Sequence, residues 1–467
     1  MTMTMNYDDL KSELLSLADT GLKHARSEYD ADFEIYLYWY SSAEAEIEQG
    51  IVSAKDGIVA GNAVRAAKGK KVGFACASGI EPERIELSVK EAFEVADTAA
   101  VPDEEFEGFC EPKKPAKEGL ADEAILELGV DDLIKHSESI VEEAGSVDER
   151  AKVVGGSAEA SWGGYAVVNS LGVEAATRSV SNYCVGQVIA IQNGERKSAY
   201  DFDGARERLF ETEGVGKNAA QSAVEQLGAE KLDETTTLPT IWAPRAAAAY
   251  LLSSIGKATL GRPVVEGISP LCDMIGDTIA SEDFTLIDDG QKPTGMGTEA
   301  IDAEGYPQQK NVIIEDGVLK SFLFDTYYGR QFGSGSTGNS SRGGGIFGGS
   351  TPYESPPSIS MKFLDVAAGK GSHEDVVSSF DEKAILITEP PIGMFHTNVS
   401  TGEFSVVANN VYLVEDGEKK CPLKSTSVSG KFYEGLANLI RIGEDKTLVP
   451  YGAEVPTLAF DGFSIVG

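Results

Sequence analysis

A polar loop between two predicted strands holds the side chains best suited to acid–base chemistry or peptide binding. The apolar run 385–387 predicts a strand, Pro390 and Pro391 end it, and apolar residues alternate again from 404 to 414. Loops held by rigid strands often carry binding sites, although the same pattern also fits an ordinary surface hairpin. The candidate site residues of this stretch are Glu389, His396, Asn398, Glu403 and Ser405.

Two kinds of chemistry are open to this loop. His396 with Glu389 or Glu403 would allow general acid–base catalysis by a self-sufficient hydrolase. A bound metal requires ligands that converge, commonly two histidines on adjacent helical turns. The four histidines are far apart in the sequence and form no such pair; they are His24, His136, His373 and His396. The residues alone therefore favour binding over catalysis and predict no metal.

A glycine-rich segment, GSGSTG at 333–338, matches the G-x-G-x-x-G pattern of dinucleotide-binding proteins. That function requires a strand immediately before the glycines and a helix directly after them, so that phosphate meets helix N–H groups. Here more glycine follows instead of a helix, and nucleotide binding is rejected. The segment is predicted to be a bent loop, with Asn339 and Arg342 as polar residues that face a peptide cavity or a partner.

Charge and cysteine content narrow the class of protein. The 467-residue chain carries a formal net charge of −35, which repels nucleic acid and anionic lipid and favours a basic peptide or protein partner. Five dispersed cysteines without a C-x-x-C pair indicate reduced thiols. The N-terminal residues predict an acidic amphipathic helix rather than a signal peptide, and no apolar run has membrane length. A cytoplasmic protein is expected, with neither nucleic acid nor membrane as a partner.

These residues are positioned by an α+β fold that should divide into two or three domains, since one core rarely serves 467 residues. Residues 1–105 predict a small N-terminal α+β domain, 120–232 a central domain of antiparallel sheet with flanking helices, and 236–467 a β-rich C-terminal α+β domain. The boundaries are the Pro-rich segment 101–122 and the run LDETTTLP at 232–239.

Local patterns predict individual elements within these domains. Asn193-Gly194 and Asp316-Gly317 indicate tight hairpin turns. Helical spacing of apolar residues predicts helices over 246–258, 212–227 and 431–442.

The C-terminal half resembles a known family. The succession FTLIDDG, IDAEGYPQQKNVIIEDGVLKSFLFDTYYGRQFGSGSTGNSSRGG, HTNVSTGEFSVVANNVYLVEDGE and CPLKSTSVSGKFYEGLANLIRIGED is similar to the TldD/TldE (PmbA) family of peptidase subunits. Weaker matches in the first half are VRAAKGKKVGFACAS and VVNSLGV. The resemblance implies that the C-terminal domain is of the TldD/PmbA type.

The resemblance also implies a subunit type. In this family the TldD-type chain carries an H-E-x-x-x-H zinc motif and a downstream cysteine, whereas the TldE-type chain lacks them. The corresponding segment here is APRAAAAYLLSSIGKATLG, in which Ser253, Ser254 and Ala258 stand where His, Glu and His would be. Cys421 lies near the region of the cysteine ligand, but one thiolate without histidines makes no zinc site. A TldE/PmbA-type chain is implied, with zinc on its partner and none of its own.

The function implied by the resemblance is that of a non-catalytic subunit of a cytosolic heterodimeric zinc metallopeptidase, which cleaves unfolded or disordered peptides. The partners would be a TldD-type homologous subunit and an unfolded peptide, and the chain alone could form a homodimer. Two alternatives remain open at this stage. One is the self-sufficient hydrolase described above, and the other is a peptide-binding protein without a proteolytic role.

Overall fold

The computed structural model describes residues 5–115, 122–232, 235–343, 350–449 and 451–467. Helices and several sheets are both present, which confirms the predicted α+β class. Within the described ranges, no helix is both long enough and apolar enough to span a lipid bilayer.

The N-terminal segment is a helix, a three-stranded antiparallel meander and a second helix. Alternation of apolar and polar residues produces the strands, and glycines with positive φ, Gly50 and Gly69, make the turns between them. Pro82 occupies the first turn of the second helix, where its missing N–H costs nothing. The elements are α1 Leu10–Glu28, β1 Asp32–Glu48, β2 Ile51–Lys68, β3 Lys71–Ser78 and α2 Pro82–Glu94.

The central segment repeats this plan with longer strands between two helices. Its elements are α3 Val130–Val147, β4 Ala151–Asn169, β5 Glu174–Gln192, β6 Glu195–Ala205 and α4 Val215–Glu225. Asn193 (φ +50°) and Gly194 (φ +84°) form the tight turn between β5 and β6, as their sequence predicts. The helix predicted over 212–227 is present as α4, which is shorter at both ends.

One antiparallel sheet joins the two segments. Strand β1 pairs along most of its length with β4, and the strand order is β3-β2-β1-β4-β5-β6. Helices α1 and α2 cover one half of one face, and α3 and α4 cover the other half. Residues 1–105 and 120–232, predicted as separate domains, therefore contribute three strands each to a single sheet.

The C-terminal segment contains two larger mixed sheets around the most extensive hydrophobic core of the structure. Its helices are α5 Pro244–Ser253, α6 Ile255–Ala258, α7 Gly261–Val265, α8 Thr326–Phe332, α9 His373–Ser378 and α10 Phe432–Ala437. Its strands are β7 Thr235–Trp242, β8 Leu286–Asp289, β9 Lys310–Glu315, β10 Val318–Leu319, β11 Ser340–Ser341, β12 Ser358–Ile359, β13 Leu364–Val366, β14 Ala384–Ile387, β15 Glu403–Ala408, β16 Val411–Glu415, β17 Glu418–Leu423, β18 Thr426–Lys431, β19 Leu439–Ile442, β20 Thr447–Val449, β21 Ala453–Val455 and β22 Leu458–Val466.

Strand order in this segment departs strongly from chain order. One sheet runs β15-β18-β22-β7-β14-β16-β17, with β19 beside β22, and the other runs β10-β9-β8-β13-β21-β20. The predicted hairpin at Asp316-Gly317 is confirmed by the β9–β10 pair, in which both turn residues have positive φ. The two strands predicted on either side of the polar loop are present as β14 and β15, but they do not form a hairpin. Strands β14 and β15 are separated in the sheet by β7, β22 and β18.

The two strands lie apart because β15 belongs to a long, bent hairpin, in which β15 and β16 form one arm and β17 and β18 form the other. The alternating run 404–414 is broken at Asn409 and Asn410, so β15 pairs with β18 at one end of the sheet while β16 pairs with β14 and β17 near the other. Alternation fixes which face each side chain takes, but it does not specify which strands become neighbours.

Two predicted helices are corrected. The predicted helix 246–258 is two helices, because Ser254 (φ −107°, ψ −97°) leaves the helical region between α5 and α6. The predicted helix 431–442 ends at Ala437, after which β19 pairs with β22.

The predicted boundary 232–239 is largely strand. Residues 235–239 begin β7, and 233–234 lie outside the described residues. Pro239 is accommodated because the β7–β22 ladder is irregular between Phe460 and Phe463, so no backbone donor is required at this position.

A buried network of charges joins the six-stranded sheet to the C-terminal segment. Glu34 of β1 accepts hydrogen bonds from Arg65 of β2 at 2.8 and 2.7 Å and from Arg342 at 3.0 Å. Arg65 also donates to Glu304 at 3.0 Å, and the Arg342 guanidinium lies 4.6 Å from the centroid of the Tyr36 ring. Burial lowers the pKa of Arg342, and Glu34 opposes this shift. The two acids and two arginines thus form one buried charged connection between the two halves of the fold.

We expect Glu34→Gln to reduce the free energy of unfolding by about 3–5 kcal/mol, because it leaves the Arg342 guanidinium buried without a carboxylate. Urea denaturation followed by circular dichroism measures the change. Glu44→Gln on the same strand is a matched control, since Glu44 pairs with the well-exposed Lys55 and surface pairs contribute little. Equal effects of the two substitutions would contradict a structural role for the network.

Candidate functional site

A cavity of about 700 Å³ lies between the six-stranded sheet and the C-terminal segment. Strands β5 and β6 supply one wall, because alternate residues of paired strands share a face and the register sets Gln187 opposite Tyr200 and Val185 opposite Phe202. Loops of the C-terminal segment and strand β20 supply the other wall, which reaches the surface at the exposed Ile392. The lining residues are Tyr183, Val185, Gln187, Tyr200, Phe202, Gly204, Met296, Glu389, Pro390, Pro391, Ile392, Gly393, Phe395, Leu448, Val449 and Tyr451.

Glu389 brings a carboxyl group to this mostly apolar cavity. It lies two residues after the end of β14, and its side chain is 16% exposed. Its Oε1 accepts a hydrogen bond from Arg245 at 3.2 Å, whereas the buried Oε2 has no hydrogen-bond partner in the part of the chain that the structure describes. Burial raises the pKa of Glu389 to about 7, against the opposing effects of Arg245 and Tyr200. This group therefore gains or loses a proton close to neutral pH.

Arg245 connects the cavity to helix α5. From the first turn of that helix it donates to the Tyr200 carbonyl at 2.7 Å and pairs with Asp201 as well as Glu389. Its guanidinium lies 5.0 and 4.8 Å from the ring centroids of Tyr200 and Phe202. One arginine thus connects β6, α5 and the loop that follows β14.

The other polar residues of the predicted loop lie outside this cavity lining. His396, Asn398, Glu403 and Ser405 are all exposed. Asn398 Oδ1 accepts backbone hydrogen bonds from Ser400 and Thr401 at 3.0 and 3.3 Å, which closes a turn. No hydrogen bond or ion pair links His396 to Glu389 or Glu403 within the described ranges. The structure therefore brings Glu389, but not the rest of the proposed acid–base set, to the cavity.

Asn339 and Arg342 are interior residues instead of cavity-facing or partner-facing ones. Asn339 donates to Asp288 at 2.6 Å and to the Ser360 carbonyl at 3.0 Å, and it accepts from Asn311 at 3.1 Å. Arg342 belongs to the charge network described above. The glycine-rich segment 333–338 follows α8 and precedes β11, so it lacks the strand-before, helix-after arrangement of a dinucleotide site. The later glycines at 344–349 lie outside the described residues.

The positions that correspond to the zinc motif are part of the core. Ser253, Ser254 and Ala258 have no solvent exposure. The Ser254 hydroxyl donates to the Tyr250 carbonyl, and Tyr250 itself packs among aromatic rings such as Trp242. Serine hydroxyls and an alanine methyl do not fit a zinc ion, which requires imidazole, thiolate or carboxylate ligands.

Cys421 does not supply a metal ligand at this place either. It lies on β17 opposite Leu413, and burial, reinforced by Glu230, raises the pKa of its thiol. Among the residues described here, no group of three or more His, Cys, Asp and Glu side chains is arranged to hold a metal ion.

The sequence did not identify Arg245, Asp201 and Tyr200 as site residues. A signal was present in β6, where Tyr200 and Phe202 alternate with charged residues and so mark a face that meets another surface. Only the tertiary structure shows that this surface carries Glu389.

An α+β fold with a helix-covered sheet on one side and two mixed sheets on the other is thus combined with a cavity between them. Three family models match the chain: PmbA/TldA metallopeptidase domain 1 over residues 33–96, the central domain over 123–227 and the C-terminal domain over 235–467. The chain therefore belongs to the PmbA/TldD family, and its domains are those of a metallopeptidase family.

Individual relatives agree with this assignment. The crystal structure of TldE from Thermococcus kodakarensis is 27% identical, covers 98% of this chain and 100% of its own, and superposes with a TM-score of 0.86. An uncharacterized protein of Methanocaldococcus jannaschii is 27% identical over 88% of this chain and 92% of its own length. The metalloprotease PmbA of Escherichia coli O157:H7 is 26% identical over 80% of this chain and 78% of its own length.

The substitution Glu389→Gln should isolate the pH dependence of the cavity carboxyl group. Its folded-state pKa is raised from 4.5 to about 7, so its protonation contributes stability that is fully present below pH 4.5 and lost as the pH rises to about 7. The unfolding free energy of the wild type minus that of the variant should therefore fall by up to about 1.4 kcal/mol per pH unit across this window and level off above it. Urea denaturation at several pH values measures this difference, and a pH-independent difference would contradict the raised pKa.

Proposed function

We propose that this chain is a non-catalytic, TldE/PmbA-type subunit of a zinc metallopeptidase that acts on unfolded or disordered peptides. The observation that carries the proposal is the identity and burial of the residues at the positions of the family's zinc motif. Ser253, Ser254 and Ala258 are buried in the core and have no side chain able to bind zinc. Membership of the PmbA/TldD family supports a role in peptide cleavage. The zinc ion is assigned to a homologous TldD-type partner in the same complex.

In such a complex, zinc on the partner would activate water and polarise the scissile carbonyl. The present chain would contribute surface that holds an extended peptide. The cavity supports this role because its lining is mostly apolar and includes one carboxyl group that can orient a bound peptide. Small-ligand sites generally combine these two features. Helix α5 connects the cavity with the positions of the zinc motif, since it carries Arg245 in its first turn and ends at Ser253.

A second candidate is a peptide-binding protein without a proteolytic role. The unpartnered oxygen of Glu389 favours it specifically, because a ligand donor would satisfy this atom whether or not cleavage follows. The self-sufficient hydrolase remains a third hypothesis, but it has no described contact between His396 and either glutamate in its favour. Cleavage assays separate the three.

The purified chain should hold no stoichiometric zinc and cleave no disordered peptide, because its motif positions offer no ligands. Addition of a TldD-type homologue from the same source should produce chelator-sensitive cleavage. Elemental analysis and a fluorescent casein assay measure both properties. Tightly bound zinc in the isolated chain, or cleavage without the homologue, would overturn the proposal. Peptide binding by a pair that never cleaves would favour the second candidate.

The exposed loop offers a test within the reconstituted pair. We expect the double variant Asn398→Ala/Glu403→Ala to cleave peptide about 5–30-fold more slowly, as expected if one or two kcal/mol of peptide binding is lost. Folding should be retained, since both side chains are exposed. Glu382→Ala, on an exposed segment of the same domain, is the control. Full cleavage by the double variant, with the pair still assembled on gel filtration, would show that this loop does not contribute to the site.

A further inference from the structure

We infer that the cavity around Glu389 accepts a cationic side chain on an apolar stem, namely a lysine or arginine residue of an extended peptide. The inference rests on the proposed function for the peptide nature of the ligand. The chemistry of the cavity itself supplies the preference for a cation.

The lining of the cavity suits the stem of such a side chain. Val185 and Phe202 line the cavity on the side of the six-stranded sheet, and Ile392 of the loop after β14 and Leu448 of β20 line it on the other side. Lysine and arginine bury their methylene groups against apolar surface while the charged end seeks a polar partner. The cavity volume of about 700 Å³ is within the range of sites that take one large side chain or a small ligand.

Charge balance within the site leaves one acid without a full partner. Arg245 and Asp201 form an ion pair of their own, and Arg245 engages only one oxygen of Glu389. Among the described residues that line the cavity, Glu389 is the one with a charged side chain. The other titratable residues of the lining are Tyr183, Tyr200 and Tyr451, whose pKa values are raised by burial, so their hydroxyls stay neutral at physiological pH. The site is therefore neutral or singly negative, never positive.

Other ligand classes fit less well. A neutral apolar side chain would fill the space but leave Glu389 Oε2 buried without a hydrogen bond, which is costly. An acidic side chain would be repelled by the same carboxyl group and by a chain whose net charge is −35. A cationic group donates hydrogen bonds to Oε2 and compensates its charge in one contact.

The test compares capped peptides Ac-Ala-Ala-X-Ala-Ala-NH₂ in which X is lysine, arginine, norleucine or glutamate. Isothermal titration calorimetry with the isolated chain gives their affinities. We expect the lysine and arginine peptides to bind at least about tenfold more tightly than the norleucine peptide, as one charged hydrogen bond predicts, and the glutamate peptide to bind most weakly. Equal binding of lysine and norleucine peptides would overturn the inference.

Substitution of Glu389 and variation of the pH then test whether this residue causes the preference for a cation. Glu389→Gln should abolish the advantage of lysine over norleucine, whereas Glu382→Gln, which removes an exposed charge elsewhere, should retain it. Because Glu389 must be ionised to pair with a cation, the affinity of the wild type for the lysine peptide should fall about tenfold from pH 8 to pH 6, while norleucine binding stays constant. The wild-type pH series decides the matter even if the glutamine variant folds poorly. A lysine preference that persists in folded Glu389→Gln would assign it to another site and overturn the inference.

A failure of this inference can be distinguished from a failure of the proposed function. Binding to the isolated chain is measured without cleavage or a partner. A pair that cleaves peptide but shows no preference for cations would overturn only the inference. A cation preference in a chain that never supports cleavage would retain the cavity assignment and refute the peptidase role.

Discussion

The arrangement of the whole molecule depends on how the second face of the six-stranded sheet is buried. Helices cover the first face, and the C-terminal segment covers the second, held there by the charges of Glu34, Arg65, Glu304 and Arg342. Isolated buried charges are prohibitively costly, so each member of this network requires the others. The requirement constrains the position of the two halves, because Arg342 and Glu304 of the C-terminal segment must meet Glu34 and Arg65 of the sheet. The cavity is a consequence of that docking, since its two walls come from the two halves.

Packing also distinguishes α5, the helix that leads to the positions of the family's zinc motif, from a zinc-binding helix. A catalytic zinc site needs an open, polar space beside its ligands, whereas α5 is surrounded by the aromatic side chains of Trp242, Phe404 and Phe460 around Tyr250. Small residues such as the alanines of α5, which are fully buried, allow close packing of this helix. The helix has thus become a core element that positions Arg245 at its first turn.

Arg245 and Glu389 form an arrangement that is only partly satisfied. Arg245 is shared between Asp201, Glu389 and a backbone carbonyl, so Glu389 is neither fully paired nor free. Burial without complete compensation is the physical cause of its raised pKa. Structural ion pairs elsewhere in the chain, such as Asp148 with Arg150, show the opposite shift because their hydrogen bonds outweigh desolvation. Incomplete satisfaction in a cavity is typical of groups that meet a ligand.

The sequence by itself determined the α+β class, the two tight turns at Asn193-Gly194 and Asp316-Gly317, and the family, because local turn chemistry, periodicity and motif order are properties of short segments. It also placed Glu389 among the candidates. It did not determine that Glu34 faces a domain interface, that β14 and β15 lie apart in the sheet, or that Arg245 meets Glu389 across 144 residues of chain. Those features come from long-range pairing, and side-chain period specifies a face but not the surface that the face will meet. Tertiary structure alone decided which polar residues are buried together, and hence where the cavity and its unpaired carboxylate oxygen lie.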